Sequence, residues 1–347
     1  MSSPMVVKPP EPADAGVRAP VPALEISGLS IALRTGRTEK PLVTDVSLAV
    51  ESGEIVGLVG ESGSGKSLTA LAAIGLLPHG VEVSSGDVRL DGESLLSMDR
   101  KRLRSLCGSS ISMIFQDPLS SLDPCARIGN QIIETIRAHK RVSVGEAKRD
   151  AVELLDRVGI PRAKERMRSY PYEFSGGMRQ RVMIAAALVL RPRVLLADEP
   201  TTALDVTTQA GIVELVRELR SEMQMSVIWI SHDLGLVGRL ADRVAVMYAG
   251  EIVELSPTAD LFRSSQHPYT AGLIRSGTRL SYGERFGFVP GTVTEPGHWP
   301  EGCRFLPRCD RATEACASHP SLEVRGPAMV RCVHPLTEGS GSEGSGS

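Results

Sequence analysis

The chain of 347 residues carries 39 basic and 41 acidic side chains, and only 4% of its residues are aromatic. This length suits one large domain and a smaller one. The balanced charge argues against broad nucleic-acid binding, which needs a basic face. No apolar run approaches the ~18–20 residues that span a bilayer, and the N-terminus lacks the apolar stretch of a signal peptide. We therefore expect an intracellular chain that reaches a membrane only through a partner.

The two ends of the chain have compositions that do not favour folding. Residues 1–23 are rich in proline and contain no aromatic residue, so they are predicted to be disordered. Residues 337–347 form a Gly/Ser linker-like tail. A change of composition near residue 255 divides the remainder into two predicted domains, at 24–255 and 256–336.

The first strong motif is a glycine-rich octet of the form GxxxxGK[ST] at residues 60–67. An apolar run at 54–59 predicts a buried parallel strand before it, and residues 68–77 predict a helix after it. In this context the octet is a phosphate cradle, in which backbone N–H groups and the helix N-terminus face the anion. Lys66 is expected to reach the β- and γ-phosphates, and the Ser67 hydroxyl to bind Mg²⁺. The residues expected to contact the nucleotide here are Gly60, Glu61, Ser62, Gly63, Ser64, Gly65, Lys66, Ser67 and Leu68.

Helical patterning dominates the middle of the chain. Residues 128–139 and 146–158 have apolar positions at helical spacing, which predicts an α-helical subdomain at about 117–190. A second glycine motif, Ser175-Gly176-Gly177-Met178, precedes a predicted helix that runs to Leu190. An exposed helix N-terminus of this kind binds anions.

Acidic residues close the next predicted strand. The run from Val194 ends in Asp198 and Glu199. An Asp at a strand end can hold Mg²⁺ in phosphate-loop enzymes, and Glu199 is placed to polarise an attacking water. His232 follows a further apolar strand, where a lone histidine would usually be structural.

In this order the motifs resemble those of ABC transporter ATPases. The resemblance implies an α/β fold with a P-loop (RecA-like) ABC ATPase core and a helical subdomain, and it implies ATP and Mg²⁺ as ligands. Gln116 matches the glutamine that senses Mg²⁺ and water, and Asp205 closes a match to the D-loop at 202–205. Glu199 would be the general base, and His232 the switch histidine at the γ-phosphate.

The glycine motif at 175–178 matches the ABC signature, with Met178 in place of the usual glutamine. In this family the signature binds the γ-phosphate of ATP held by the other subunit, so one chain alone cannot complete a site. The family also stacks adenine on an aromatic residue upstream of the cradle, but no aromatic residue precedes Phe115. Leu33, Arg34 or Arg37 would have to contact the base instead.

The smaller predicted domain contains four clustered cysteines. Helical periodicity fades past residue 255, and Cys303, Cys309, Cys316 and Cys332 lie within 30 residues. In an intracellular chain such a group favours metal binding over disulfides. The spacing lacks the CxxC pairs of common zinc sites, and four cysteines also suit an iron–sulfur cluster. Zn²⁺, iron–sulfur and unmetallated thiols all stay open on the residues alone.

The motifs at 267–270, 290–291 and 302–309 resemble the C-terminal extension of oligopeptide, dipeptide and nickel permease ATPases. The resemblance covers about residues 24–335 and favours the D-type subunit. In members of that family the extension carries a [4Fe–4S] cluster, so we expect one on the four cysteines, with Zn²⁺ as the alternative.

This resemblance implies a subunit that hydrolyses ATP to power import of oligopeptides or dipeptides. The implied partners are a paralogous ATPase subunit in a heterodimer, two transmembrane permease subunits and an extracytoplasmic peptide-binding protein, without nucleic acid. The implied location is peripheral, on the cytoplasmic face of a bacterial inner membrane. Alternatives are nickel or another chelate as cargo, a soluble ABC ATPase not coupled to transport, and a regulatory subunit with a dead site. The intact Lys66, Asp198, Glu199 and His232 argue against the last.

Overall fold

The computed structural model describes residues 21–201, 204–277, 291–292 and 294–337. Residues 1–20, residues 202–203 of the D-loop match, Pro290 and residues 338–347 lie outside the described residues. Within the described ranges, no helix is long and apolar enough to cross a bilayer.

The strands form two sheets. The first is a four-stranded antiparallel sheet in the order β2-β1-β4-β5, and the second is an eight-stranded sheet in the order β11-β12-β10-β9-β3-β8-β7-β6. The strands are β1 (Leu24–Thr35), β2 (Thr38–Val50), β3 (Ile55–Val59), β4 (Val81–Leu90), β5 (Glu93–Ser94), β6 (Ile111–Ile114), β7 (Val194–Asp198), β8 (Ser226–Ser231), β9 (Arg243–Tyr248), β10 (Glu251–Pro257), β11 (Glu323–Arg325) and β12 (Ala328–Val330).

The helices of the described chain are mostly short, and several begin beside a functional motif. They are α1 (Lys66–Ala73), α2 (Arg100–Leu106), α3 (Pro118–Ser121), α4 (Ile128–His139), α5 (Val144–Arg157), α6 (Ala163–Arg166), α7 (Gly176–Leu188), α8 (Val206–Met223), α9 (Leu234–Leu240), α10 (Thr258–Ser264) and α11 (Pro268–Gly277).

The centre of the large sheet is parallel, because β6, β7, β8, β3 and β9 all pair in the same direction. Its inner strands are buried along their whole length, as expected for apolar runs covered on both faces. In β8, Val227 and Trp229 pack into a core shared with the helical subdomain. Ile228 and Ile230 face the opposite way, into the core beneath the antiparallel sheet.

The predicted helical subdomain forms around α4, α5 and α7. The predicted helix at 128–139 has the bounds of α4. The other predicted helix, at 146–158, begins two residues earlier in the structure. The cause is a capping box in which the Ser143 Oγ accepts from the Glu146 N–H at 3.2 Å and the Ser143 N–H donates to Glu146 Oε2 at 2.8 Å.

The chain beyond residue 255 continues the same sheet. The β11–β12 hairpin pairs with β10 through β12, so this region adds an antiparallel edge to the parallel core. Although helical periodicity fades in the sequence here, two helices form: α10 starts directly after β10, and α11 starts at Pro268. The buried Glu254 carboxylate accepts from the backbone N–H groups of Gln266 and His267 and so fixes the start of α11.

Candidate active site

The motifs meet at one edge of the parallel sheet. The strands β3, β6, β7 and β8 end there, and their carboxyl ends lead to Gly60, Gln116, Asp198 and His232 respectively. In open α/β sheets this edge is where ligands bind. The fold therefore brings residues that are distant in sequence to a common site.

The phosphate loop at residues 60–67 folds around Lys66. The Lys66 Nζ donates to the carbonyl oxygens of Gly60 at 2.8 Å and Glu61 at 2.9 Å, and to Ser64 Oγ at 3.3 Å. Desolvation by burial lowers the pKa of Lys66, while the carboxylates of Glu199, Asp198 and Glu61 act in the opposite direction. A methyl group at Gly60 would lie 2.1 Å from the Met247 carbonyl oxygen, so only glycine fits at the start of the loop.

A hydroxyl and a carboxylate meet beside this lysine. The Ser67 Oγ donates to Asp198 Oδ1 at 3.0 Å, and the Asp198 side chain is almost fully buried. Burial raises the pKa of Asp198, and the Ser67 hydrogen bond and the Lys66 charge partly offset that rise. Hard oxygen donors of this type suit Mg²⁺, which favours one or two carboxylates together with phosphate oxygens. The donor set fits the expected cation.

Glu199 lies between two side chains from neighbouring strands. Its Oε2 lies 3.2 Å from His232 Nδ1 and accepts from Gln116 Nε2 at 3.3 Å. The Glu199 backbone has a φ of 45°, which is rare for a residue with a side chain and stores about 1–3 kcal/mol of strain. The Glu199 N–H donates to the Ile230 carbonyl at 3.0 Å, which holds this conformation. The structure thus brings Gln116, Glu199 and His232 into contact.

The signature residues 175–178 lie at the exposed N-terminus of α7. The Ser175 Oγ accepts from the Met178 N–H at 3.4 Å and caps the helix. Gly177 packs against Thr208 of α8. Asp205 caps α8, accepting from the backbone N–H groups of Thr207 and Thr208. The hydrogen bonds from Thr208 lower the pKa of Asp205.

The residues considered for the base lie in the β1–β2 hairpin. Leu33 is half-buried, whereas Arg34 and Arg37 are exposed. The Arg34 guanidinium lies 3.3 Å from Glu82 and 3.9 Å from Glu39, so two carboxylates already engage it.

The metal cluster expected at the four cysteines is a wrong prediction. Cys303, Cys309, Cys316 and Cys332 line one small cavity. Among the residues that the structure describes, however, no group of three or more His, Cys, Asp or Glu side chains is placed to hold a metal ion. Neither the [4Fe–4S] cluster nor the Zn²⁺ alternative is supported.

The physical reason lies in the surroundings of the thiols. Desolvation by burial raises the pKa of Cys303 and Cys309, and that of Cys332 to about 11. At these three positions desolvation therefore disfavours the thiolate, which is the form of cysteine that binds a metal. A Cys₄ spacing alone could not reveal this environment.

Sequence reasoning missed a residue that contacts the phosphate loop from the C-terminal region. The Arg308 guanidinium donates to both carboxylate oxygens of Glu61, at 2.8 and 3.0 Å. The motif at 302–309 contains Arg308, but it does not reveal the partner of Arg308, which lies 247 positions away.

Comparison with known proteins agrees with this architecture. Residues 43–202 match the ABC transporter family, and residues 253–316 match the oligopeptide/dipeptide transporter C-terminal region. A putative peptide import ATP-binding protein of Brucella melitensis is 47% identical over 327 residues, which cover 90% of this chain and 97% of that protein. The oligopeptide transport ATP-binding protein OppD of Salmonella typhimurium is 44% identical over 330 residues, covering 94% and 98% respectively.

Solved structures share the core. The dimeric post-hydrolysis structure of the ATP-binding cassette MJ0796, bound to ADP and Pi, aligns with a TM-score of 0.61 at 26% identity and covers 68% of this chain and 98% of that one. CbiO1 from Clostridium perfringens, part of the ABC transporter complex cbiONQ, aligns with a TM-score of 0.60 at 26% identity and covers 70% and 90%. The chain therefore belongs to the family of ABC transporter ATP-binding proteins, and it carries the C-terminal region typical of oligopeptide/dipeptide transporters.

Proposed function

We propose that this chain is the ATP-hydrolysing subunit that powers import of oligopeptides or dipeptides through a bacterial ABC transporter. The observation that carries the proposal is the presence, in one chain, of an intact ATPase site and an oligopeptide/dipeptide-type C-terminal region. The relatives described as peptide import and oligopeptide transport ATP-binding proteins support it. We divide the chain into a nucleotide-binding domain at 24–255 and a C-terminal extension at 256–336.

In the proposed mechanism, each site residue has one task at the bound ATP. Lys66 would neutralise charge on the β- and γ-phosphates, and Ser67 and Asp198 would hold Mg²⁺, which would supply further positive charge to the phosphates. Glu199 accepts a hydrogen bond from the attacking water and takes its proton. His232 contacts the γ-phosphate, and Gln116 senses the cation and the water.

The signature would complete the site of a second subunit. The exposed N-terminus of α7 offers backbone N–H groups and a partial positive charge to an anion. We propose that residues 175–178 bind the γ-phosphate of ATP in the phosphate loop of a paralogous ATPase. ATP then joins the two subunits and hydrolysis separates them, which is a population shift driven by the ligand.

The proposed assembly contains two permease subunits and an extracytoplasmic peptide-binding protein. In it the chain is peripheral, on the cytoplasmic face of the inner membrane. The description of the relatives as import and transport ATP-binding proteins supports this placement.

Reconstitution tests this proposal. The chain, its paralogous ATPase, the permease pair and the binding protein are placed in vesicles that contain ATP, and uptake of a labelled tripeptide is compared with uptake of radioactive Ni²⁺. Peptide uptake that requires internal ATP is the expected result. Uptake of Ni²⁺ alone would favour the chelate alternative. ATP turnover without binding to any permease would favour an ABC ATPase not coupled to transport.

A further inference from the structure

We infer that the C-terminal extension positions the phosphate loop, and that Arg308 is the positioning residue, acting through Glu61. The Arg308 side chain is only 5% exposed, and its two terminal nitrogens donate to the two oxygens of the Glu61 carboxylate. Bidentate pairs of this kind are short, charge-assisted and geometrically specific. The inference concerns ATP binding by the chain itself and goes beyond the proposed cargo and partners.

Glu61 also contacts Lys66, the lysine of the phosphate loop, so the position of Glu61 affects that of the lysine. Its backbone N–H donates to the Tyr269 hydroxyl at 3.0 Å, and its carbonyl oxygen accepts from Lys66 Nζ at 2.9 Å. The carboxylate, the N–H and the carbonyl of one residue are therefore all engaged. A displacement of Glu61 moves the hydrogen-bond acceptor of Lys66 and changes the loop that receives the phosphates.

Arg308 is itself held on a buried aromatic surface. Its guanidinium lies 5.6 Å from the centre of the Tyr248 ring and 3.5 Å from the Tyr248 hydroxyl. Tyr248, Tyr269 and Phe305 pack against one another with ring centres 4.6 to 5.5 Å apart. Because a buried guanidinium without a carboxylate is costly, the aromatic surface and Glu61 together determine its position.

A second contact links the same segment to the other side of the loop. The Arg304 Nη1 donates to the Ala249 carbonyl at 2.5 Å, and its guanidinium lies 3.2 Å from the buried Glu251 carboxylate. Gly250, which follows Ala249, donates its N–H to the Ser64 carbonyl at 3.0 Å. The segment 304–308 thus reaches the phosphate loop directly at Glu61 and indirectly at Ser64.

The test measures MgATP affinity by calorimetry on the purified full chain, without any partner. The variants are Arg308→Met, Glu61→Gln and the double variant. We expect each single variant to weaken ATP binding about tenfold, which corresponds to about 1.4 kcal/mol. We expect the double variant to bind no more weakly than either single one, because both remove the same interaction.

A matched control separates positioning from general stability of the extension. Arg325 lies in the same region and pairs with Glu323 at 3.0 Å on β11, away from the phosphate loop. Arg325→Met is expected to leave ATP affinity within twofold of the wild-type value. Arg308→Lys keeps the charge but cannot form the bidentate pair with Glu61. Its ATP affinity is expected to lie between those of the wild type and Arg308→Met.

Hydrogen exchange gives a readout that a purely structural role would not move. The amides of residues 60–67 are expected to exchange faster in Arg308→Met while those of β7 and β8 do not change. Three results would overturn the inference. They are unchanged ATP affinity in Arg308→Met and Glu61→Gln, additive losses in the double variant, and an equal loss in Arg325→Met. If Arg308→Met does not fold, Arg308→Lys replaces it in the comparison of single and double variants, and the same results would support or overturn the inference.

Discussion

At the scale of single residues, the site contains charged side chains that are partly or fully buried. Hydrogen bonds and opposite charges offset the free-energy cost of that burial. Asp198 is almost fully buried, yet it accepts a hydrogen bond from Ser67 and lies near Lys66. Glu199 is held in a left-handed backbone conformation between Gln116 and His232. A buried carboxylate with a raised pKa and a strained backbone at the same sheet edge are typical of a functional site. The motif spacing predicted these side chains, but not the strained backbone, because φ at residue 199 depends on pairing with β8.

The Ser67–Asp198 pair leads to a prediction about the cation. Replacing Asp198 by Asn removes a negative charge where we place Mg²⁺, so the Mg²⁺ concentration for half-maximal ATP turnover should rise roughly 10- to 100-fold. A titration of turnover against Mg²⁺ measures this shift, and EDTA should abolish turnover in both proteins. A half-maximal concentration equal to that of the wild type would remove Asp198 from the proposed cation site.

At the scale of elements, the sequence is most informative where the pattern is local. The buried strands β3 and β7 and the helix α4 follow directly from apolar runs and helical spacing. The predicted helix at 68–77 instead begins at Lys66 and ends at Ala73, because it starts inside the phosphate loop. The helices α10 and α11 were missed because they are short, and because contacts with Glu254 and the sheet stabilise them rather than their own periodicity.

The approach of α9 to β3 leads to a prediction about stability. A methyl group at Gly57 would lie 2.2 Å from Val237 Cγ1, so Gly57→Ala must push α9 away from the sheet. Overpacking of this kind costs about 1–3 kcal/mol in the free energy of unfolding. Denaturant titration measures the loss. The control is Gly145→Ala in α5, where the nearest atom would lie at 3.9 Å and no loss is expected. Equal stability of the two variants would contradict the packing described for β3 and α9.

At the scale of the whole molecule, long-range contacts set the limit of sequence reasoning. The phosphate loop and the acidic strand end were predictable, because each motif carries its own local context. The Arg308–Glu61 pair was not, because nothing near either residue names its partner. The cysteine spacing indicated a metal cluster, but spacing alone does not show how the side chains are buried. Burial raises the thiol pKa values of Cys303, Cys309 and Cys332, and it depends on packing with distant parts of the chain.

The proposed pairing of two subunits leads to a prediction at the signature. Asp caps helices as well as Ser does, so Ser175→Asp should change the free energy of unfolding by less than about 0.5 kcal/mol. The new carboxylate would face a phosphate across the interface, and such like-charge contacts cost several kcal/mol. ATP turnover of the assembled complex should fall at least tenfold, while ATP affinity of the isolated chain stays unchanged.

The matched control is Ser143→Asp, which makes the same exchange at the N-cap of α5. Turnover equal to wild type is expected for that variant. Wild-type turnover in Ser175→Asp would place the γ-phosphate of the second subunit elsewhere.

The measurement that tests the account most directly is peptide-stimulated ATP turnover of the assembled complex with Glu199→Gln in this chain alone. Glutamine keeps the shape of the side chain but cannot take a proton, and loss of a general base typically costs about 10²–10⁴ in rate. We predict a fall of at least tenfold with ATP affinity of the isolated chain retained. Turnover equal to that of the wild-type complex would show that this site does not power transport.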